Sequence, residues 1–444
     1  MTHCPSSIQT GTAPFPAGFC GAVCRGVLLA VLLAVGSASA PQADAAVQKQ
    51  AAGNEKAALA KDRRPVARPS AGTRVPGAPG PGASASPAAA AAVSGTDATG
   101  QEPAPAPGPA RIWPQGPAGD AARAFAAGDV ATARGIWERL AAEGDGQAMN
   151  NLGVLYDQGQ GVEPDAGRAL HWFAKAAEAG NASGMSNYGR MLEQGRGMES
   201  NPAEAARWFD LAARKGQPEA QYNLGFLYEH GRGVPRDDAA AAAWYSRAAS
   251  QRQREALGRL GHFYRVGRGV TADPQRAVLL LYAAAMEGLP EAVEELRLMA
   301  GKGRPAAVLF GQKLDAATRA GMRAALKKAG AVARSEDDGR ICDSYDAARV
   351  VPGATEMAVC YGRGADAPLA FLKIDYPAPD RARAQAILDM VEGRFGPPSA
   401  GEGEDSRLWN LGTTVVATQY APTHSQMSLM YMVPAVYHQT RGQR

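Results

Sequence analysis

Residues 218–250 read PEAQYNLGFLYEHGRGVPRDDAAAAAWYSRAAS, and this pattern decides the fold because it recurs at a fixed interval. Gly225 has counterparts at Gly153, Gly189 and Gly261, each 36 residues from the next. The pair Gly231/Gly233 repeats as Gly159/Gly161, Gly195/Gly197 and Gly267/Gly269. Trp244 repeats at Trp172 and Trp208, with Leu280 in the fourth slot. Self-similarity at such a period marks stacked supersecondary units, each too small to bury its apolar face alone. Stacks of this kind form extended surfaces that bind other macromolecules. The repeats therefore argue against a metabolic enzyme.

Within each unit, apolar residues at helical spacing run up to the G-x-G pair, which ends a first helix, helix A. Asp165, Asn201, Asp237 or Asp273 then stands where a second helix, helix B, needs an N-cap. Pro202 and Pro274 follow two of these caps directly, at the N1 position that proline favours. Gly180, Gly216 and Gly288 close three of the B helices. The G-x-G pairs are not phosphate loops, since they end helices instead of opening them after a strand. The mid-helix glycines imply close approach of helix B to helix A, and the three tryptophans are expected to form the core between repeats.

The signature A-x-x-x-L-G-x-x-Y-x-x-G-x-G-V, then D, then A-x-x-W-(F/Y)-x-x-A-A recurs four times over about residues 148–297. It resembles the Sel-one-like repeat (SLR) family, a subclass of the tetratricopeptide-type helical hairpins. The resemblance implies a right-handed α-solenoid used for protein–protein interaction, often as an adaptor and often exported in bacteria. A cysteine-rich secreted branch of that family staples each hairpin with a disulfide. This chain has no cysteine in its repeats, so the penicillin-related activities of that branch do not carry over.

Outward from the repeats, residues 121–127 and 130–143 read as two short helices of a divergent cap, placing the solenoid over 119–300. Residues 46–118 are rich in Ala, Pro and Gly and poor in aromatics, a composition that builds no packed core. A disordered tether is expected there. Before it, Arg25 precedes the apolar run GVLLAVLLAVG at 26–36, and Ala43-Asp44-Ala45 supplies a small-residue cleavage site. Residues 1–45 thus read as an export signal, with a periplasmic or secreted product. No later stretch is long and apolar enough to span a bilayer.

Beyond the repeats, residues 305–434 mix helix and strand signals and are expected to form a compact α+β domain with an antiparallel sheet, followed by a tail over 435–444. Helices are expected at 314–329 and 380–395. Strands are expected at 340–348, 355–361 and 369–376, with a final hairpin from 408–420 and 427–433. After removal of the signal, the remaining cysteines are Cys342 and Cys360. An even count in an exported chain suggests a disulfide; the alternative is two separate buried thiols.

Asn151, Asn187 and Asn223, with Arg259 in the fourth slot, stand two residues before the helix A glycines. In tetratricopeptide-type arrays helix A lines the groove. Carboxamides there can pair with an extended peptide backbone, and Arg259 can meet a carboxylate. The alternative is a hydrogen bond within the repeat that fixes the hairpin. Arg196, Arg232 and Arg268, with Gln160 in the first slot, sit inside the G-x-G turns. They form either a basic edge for an acidic partner or ordinary solvated loop residues.

The formal net charge of +4 is small for 444 residues and gives no case for nucleic-acid binding. The six histidines are scattered without metal-ligand spacing, and no nucleophile elbow, Walker loop or paired-carboxylate motif occurs. No catalytic residue, metal site or cofactor is expected. The favoured function is an exported, non-enzymatic scaffold for an unidentified protein or peptide. A second reading is a cell-envelope enzyme or glycan-binding factor acting through 305–434, with Trp409, Tyr420 and His424 at its site. A third, a cytoplasmic regulator, requires that the Arg25 segment is no signal.

Overall fold

The computed structural model describes residues 115–301, 306–338, 340–362, 366–378, 380–402 and 405–440. The signal expected over 1–45 and nearly all of the tether expected over 46–118 lie outside the described residues. From residue 117 the chain is helical. A cap hairpin, α1 (Pro117–Ala126) and α2 (Val130–Ala142), precedes four A/B hairpins. These are α3 (Gly146–Gln158) with α4 (Ala166–Glu178), α5 (Ala182–Gln194) with α6 (Pro202–Arg214), α7 (Pro218–His230) with α8 (Asp238–Ser250), and α9 (Arg254–Val266) with α10 (Pro274–Met286). A last helix, α11 (Pro290–Ala300), closes the stack.

The boundaries follow from local chemistry. Asp165, Asn201, Asp237 and Asp273 accept the backbone N–H groups that open α4, α6, α8 and α10. Asp145, Asn181, Gln217 and Gln253 do the same for the A helices. Gly159, Gly195, Gly231 and Gly267 end the A helices in the left-handed region. The second glycine of a G-x-G pair is required by contact as well. A Cβ on Gly233 would sit 2.3 Å from the Pro202 carbonyl carbon of the preceding repeat, and its φ is +71°.

Of the tryptophans expected between repeats, Trp244 is buried in a core shared by neighbouring hairpins, with Trp208 packed against it, while the contact within each hairpin is made by other residues. Trp172 and Trp208 are half-buried, whereas the residue after each tryptophan slot is fully enclosed: Phe173, Phe209, Tyr245 and Leu281. These side chains lie on the mid-helix glycines. A Cβ on Gly153 would stand 2.5 Å from the Phe173 ring, so glycine is what lets helix B lie against helix A. The tryptophans flank this contact; Trp208 packs edge-on to Tyr188, and the Trp244 face carries the Arg247 guanidinium at 4.2 Å.

After the solenoid come a two-stranded turn, β1 (Val308–Leu309) with β2 (Gln312–Lys313), a 3₁₀ turn over Leu314–Ala316, and α12 (Arg319–Ala329). The strands are β3 (Val332–Ser335), β4 (Cys342–Asp346), β5 (Glu356–Tyr361), β6 (Leu369–Pro377), β7 (Ala400–Glu402), β8 (Ser406–Asn410), β9 (Val415–Ala421) and β10 (Gln426–Met432). Helix α13 (Arg381–Phe395) lies between β6 and β7, and α14 (Pro434–Thr440) follows β10. The sheet is antiparallel throughout in the order β3-β4-β5-β6-β10-β9-β8-β7. The single strand expected over 408–420 is divided by a turn at Gly412, and residues 435–440, read as part of a tail, belong to the helix α14.

The sheet is buried on both faces. One face sets Val359, Leu372, Ile374, Trp409, Val416 and Leu429 against Met322 and Leu326 of α12 and Ile387, Leu388, Val391 and Phe395 of α13. The other sets Phe371, Leu408, Val415, Ala417, Met430 and Met432 into one core with Leu280, Tyr282, Ala292 and Leu296 of the solenoid. That double burial is why β6 opens on the unbroken apolar run LAFL, and why Lys373 and Asp375 farther along are buried and paired with each other at 2.7 Å. The Tyr282 hydroxyl donates to the Met432 sulfur, and the Asn410 carboxamide donates to the Leu296 carbonyl at 2.8 Å. The sheet thus covers the end of the helical stack, and the α+β part and the solenoid share a core.

Candidate binding face

Three A helices carry the asparagine row, and neighbouring A helices meet directly, α3 with α5. Its members have different neighbours. Asn151 accepts from Gln147 at 2.9 Å, and Gln147 accepts from Asn181 of the next repeat at 3.1 Å. Asn187 donates to Asn150 of the previous repeat at 2.9 Å, and Asn150 is buried. This bond crosses between repeats, where the sequence reading had allowed for one within a repeat. Asn223 is half-buried and makes no side-chain hydrogen bond among the described residues. Arg259 approaches Glu229 at 3.5 Å. Burial raises the Tyr222 phenol above its ordinary value, and the adjacent Arg259 guanidinium offsets part of that rise.

The G-x-G arginines make a second feature. Arg196 pairs with Asp157 at 2.7 Å, Arg232 with Glu193 at 3.0 Å, and Arg268 with Glu229 at 3.0 Å. Each arginine reaches back 39 residues to the acid at the end of the preceding helix A, so these are clasps between repeats. Glu229 also accepts the Tyr245 hydroxyl at 2.7 Å; burial and that carboxylate push the phenol well above its usual range. Arg268 holds Asp238 as well, at 2.7 Å, and this bond, with help from Arg236, holds the Asp238 carboxyl at about 2.

Sequence reasoning missed the acids of this ladder, although a signal was present. Arginine fills the G-x-G slot wherever an acid stands 39 residues earlier, at Asp157, Glu193 and Glu229. Gln160 fills it where the earlier residue is Ala121. At the far end the acidic slot is reversed to Arg265, which pairs with Glu295 of α11 at 2.5 Å; His262 lies 3.1 Å from the same carboxylate. Glu295 thus ties α11 to the last helix A.

In the α+β part, Cys342 and Cys360 are joined by a disulfide between paired positions of β4 and β5. Arg323 grips the fully buried Asp343 with two bonds of 2.7 and 2.8 Å, tying α12 to β4. Trp409, Tyr420 and His424 are not brought together as a site. Trp409 is enclosed and donates to the Gly396 carbonyl at 2.8 Å, Tyr420 is buried in the core below the helices, and His424 is exposed. Among the described residues no group of three or more His, Cys, Asp or Glu side chains is placed to hold a metal ion, and no helix is long and apolar enough to cross a membrane.

A family model described as the Sel1 repeat matches residues 146–181, 182–217, 218–252 and 254–289. Among solved structures, a protective antigen of uropathogenic Escherichia coli displaying an SLR fold is 33% identical, over 39% of this chain and 37% of that one, with a TM-score of 0.37. A Sel1 repeat protein from Oxalobacter formigenes is 38% identical, over 38% of this chain and 49% of that one, with a TM-score of 0.35. The chain therefore spans less than half the length of either relative. No curated protein matches it. The four matched segments coincide with the glycine-paired A/B hairpins, so residues 146–289 of this chain are four Sel1 repeats.

Proposed function

We propose that the chain is an exported, non-enzymatic scaffold that binds a protein or peptide along the face formed by its A helices. The observation that supports this most directly is the state of Asn223 and Arg259. Asn223 offers an uncommitted carboxamide with both donor and acceptor, one repeat from a guanidinium whose nearest carboxylate is 3.5 Å away. Asn151 and Asn187, tied to neighbouring carboxamides, shape the wall of the same face. Export to the periplasm or the medium follows from the apolar run at 26–36 and the small residues at 43–45.

The test is recovery of partner from native extracts by tagged protein, comparing wild type with Asn223→Ala. Retained helicity with reduced recovery supports the assignment, and unchanged recovery ends it. Intact mass of the protein taken from the host, by cell fraction, tests export separately. A chain beginning near Ala46 outside the cytoplasm is the expected result.

A further inference from the structure

The clasps between repeats are layered by charge. Asp157, Glu193 and Glu229 lie beneath, 8%, 13% and 2% exposed, while the arginines that hold them are 28–46% exposed. Cations also outnumber the acids they meet. Asp157 takes both Arg190 and Arg196, and Glu229 takes both Arg259 and Arg268. A guanidinium has five N–H donors in a fixed fork. One contact, such as Arg232 to Glu193 at 3.0 Å, leaves most of them for solvent or a ligand. A ladder that is nearly balanced in charge thus presents a positive outer layer.

We propose that this layer receives an acidic, extended segment of a partner protein, with carboxylates seated on the row Arg190, Arg196, Arg232, Arg259, Arg265 and Arg268; this rests on the peptide-binding reading above. Packed helices stand roughly 8–10 Å apart. A polyproline-type segment returns a side chain to the same side every third residue, at intervals of about 9 Å. The matching occupant therefore carries Asp or Glu at every third position. The chain's own N-terminal segment has the wrong sign for this seat, with Lys61, Arg63, Arg64, Arg68 and Arg74. A nucleic acid fits less well, because net charge is low and Arg259 stands beside Tyr222, next to the carboxamide of Asn223, which suits a peptide backbone.

The experiment is fluorescence anisotropy of the full chain with labelled peptides of repeating Glu-Ser-Pro, Gln-Ser-Pro and Lys-Ser-Pro, and with a labelled oligothymidylate. The glutamate peptide is expected to bind at least about tenfold more tightly than the glutamine peptide near 0.1 M salt, with the preference lost toward 1 M as screening shortens to about 3 Å. Arg190→Gln and Arg259→Gln, tested singly, should each weaken it about tenfold, a typical effect of a charge-assisted bond. Each leaves its carboxylate a second arginine, and thermal melts establish that the variants fold. Equal binding of glutamate and glutamine peptides, both weakened by Asn223→Ala, overturns the acidic preference and keeps the peptide-binding face. Absence of binding by any peptide overturns both. Tighter binding of the oligothymidylate, or glutamate binding indifferent to both arginine variants, also overturns the proposal.

Discussion

The Asn410 carboxamide of β8 donates to the Leu296 carbonyl of α11, 114 residues away in sequence, and its oxygen accepts the Gly412 N–H. A buried carboxamide thus joins the sheet to the last solenoid helix. Asn410→Ala removes both bonds and leaves the buried Gly412 N–H without this acceptor. It is expected to destabilise by roughly 1–3 kcal/mol. Because the two regions share a core, far-ultraviolet helicity and aromatic signals should melt together, at a lower temperature than in wild type.

Two glycines in neighbouring hairpins should respond oppositely to the same change. A Cβ on Gly153 meets the Phe173 ring at 2.5 Å, so Gly153→Ala should cost roughly 1–3 kcal/mol by overpacking. Gly135 in α2 has open space around a Cβ, so Gly135→Ala should stabilise by roughly 0.5–1 kcal/mol. Urea denaturation of both variants measures the contrast. If both behave alike, the close approach of α4 to α3 is not what keeps Gly153.

The clasps should show in acid. The Asp238 carboxyl is lowered from 3.8 to about 2, chiefly by the Arg268 bond. A carboxyl lowered on folding adds stability that is complete above its unfolded pKa and fades as pH falls through the folded value. The stability difference between wild type and Arg268→Ala should therefore be largest above pH 4 and shrink as pH falls toward 2. Denaturant midpoints across that window check the sign.

Reduction should weaken the protein without unfolding the hairpin outright. The Cys342–Cys360 bond spans 18 residues, and cross-links of this reach typically add about 2–4 kcal/mol. Dithiothreitol should lower the melting temperature of wild type and leave that of the Cys342→Ser, Cys360→Ser double variant unmoved. Equal melting of oxidised and reduced wild type would contradict this.

The repeats, their caps and their helix ends were legible because each depends on residues close in sequence. Asp165, Asn201, Asp237 and Asp273 need only the N–H groups two or three residues on, and Gly159 and its counterparts need only their own φ. Which ring meets the mid-helix glycine was not legible. Trp172 and Phe173 are both apolar neighbours on a helix, and the choice between them depends on which meets Gly153. The ion-pair ladder was missed because its partners lie 39 residues apart, outside the reach of helix periodicity. In the α+β part, β3 and β7 are short edge strands, and α14 shows its purpose only once Tyr437 is seen against Phe371. Of the asparagine row, sequence gave the positions; that Asn187 is tied to Asn150 while Asn223 is not depends on the neighbouring residues Asn150, Ser186 and Tyr222, which break the repeat.

The sheet laid over α10 and α11 has a consequence for how such a chain can grow. A bare hairpin stack ends in an apolar surface onto which another hairpin, from the same chain or a different one, can add. Here that surface is occupied by Phe371, Met430 and Met432, so duplication of a hairpin at this end would displace the sheet. Duplication between hairpins whose arginine and acid already match, such as those joined by Arg232 and Glu193, would leave that end undisturbed.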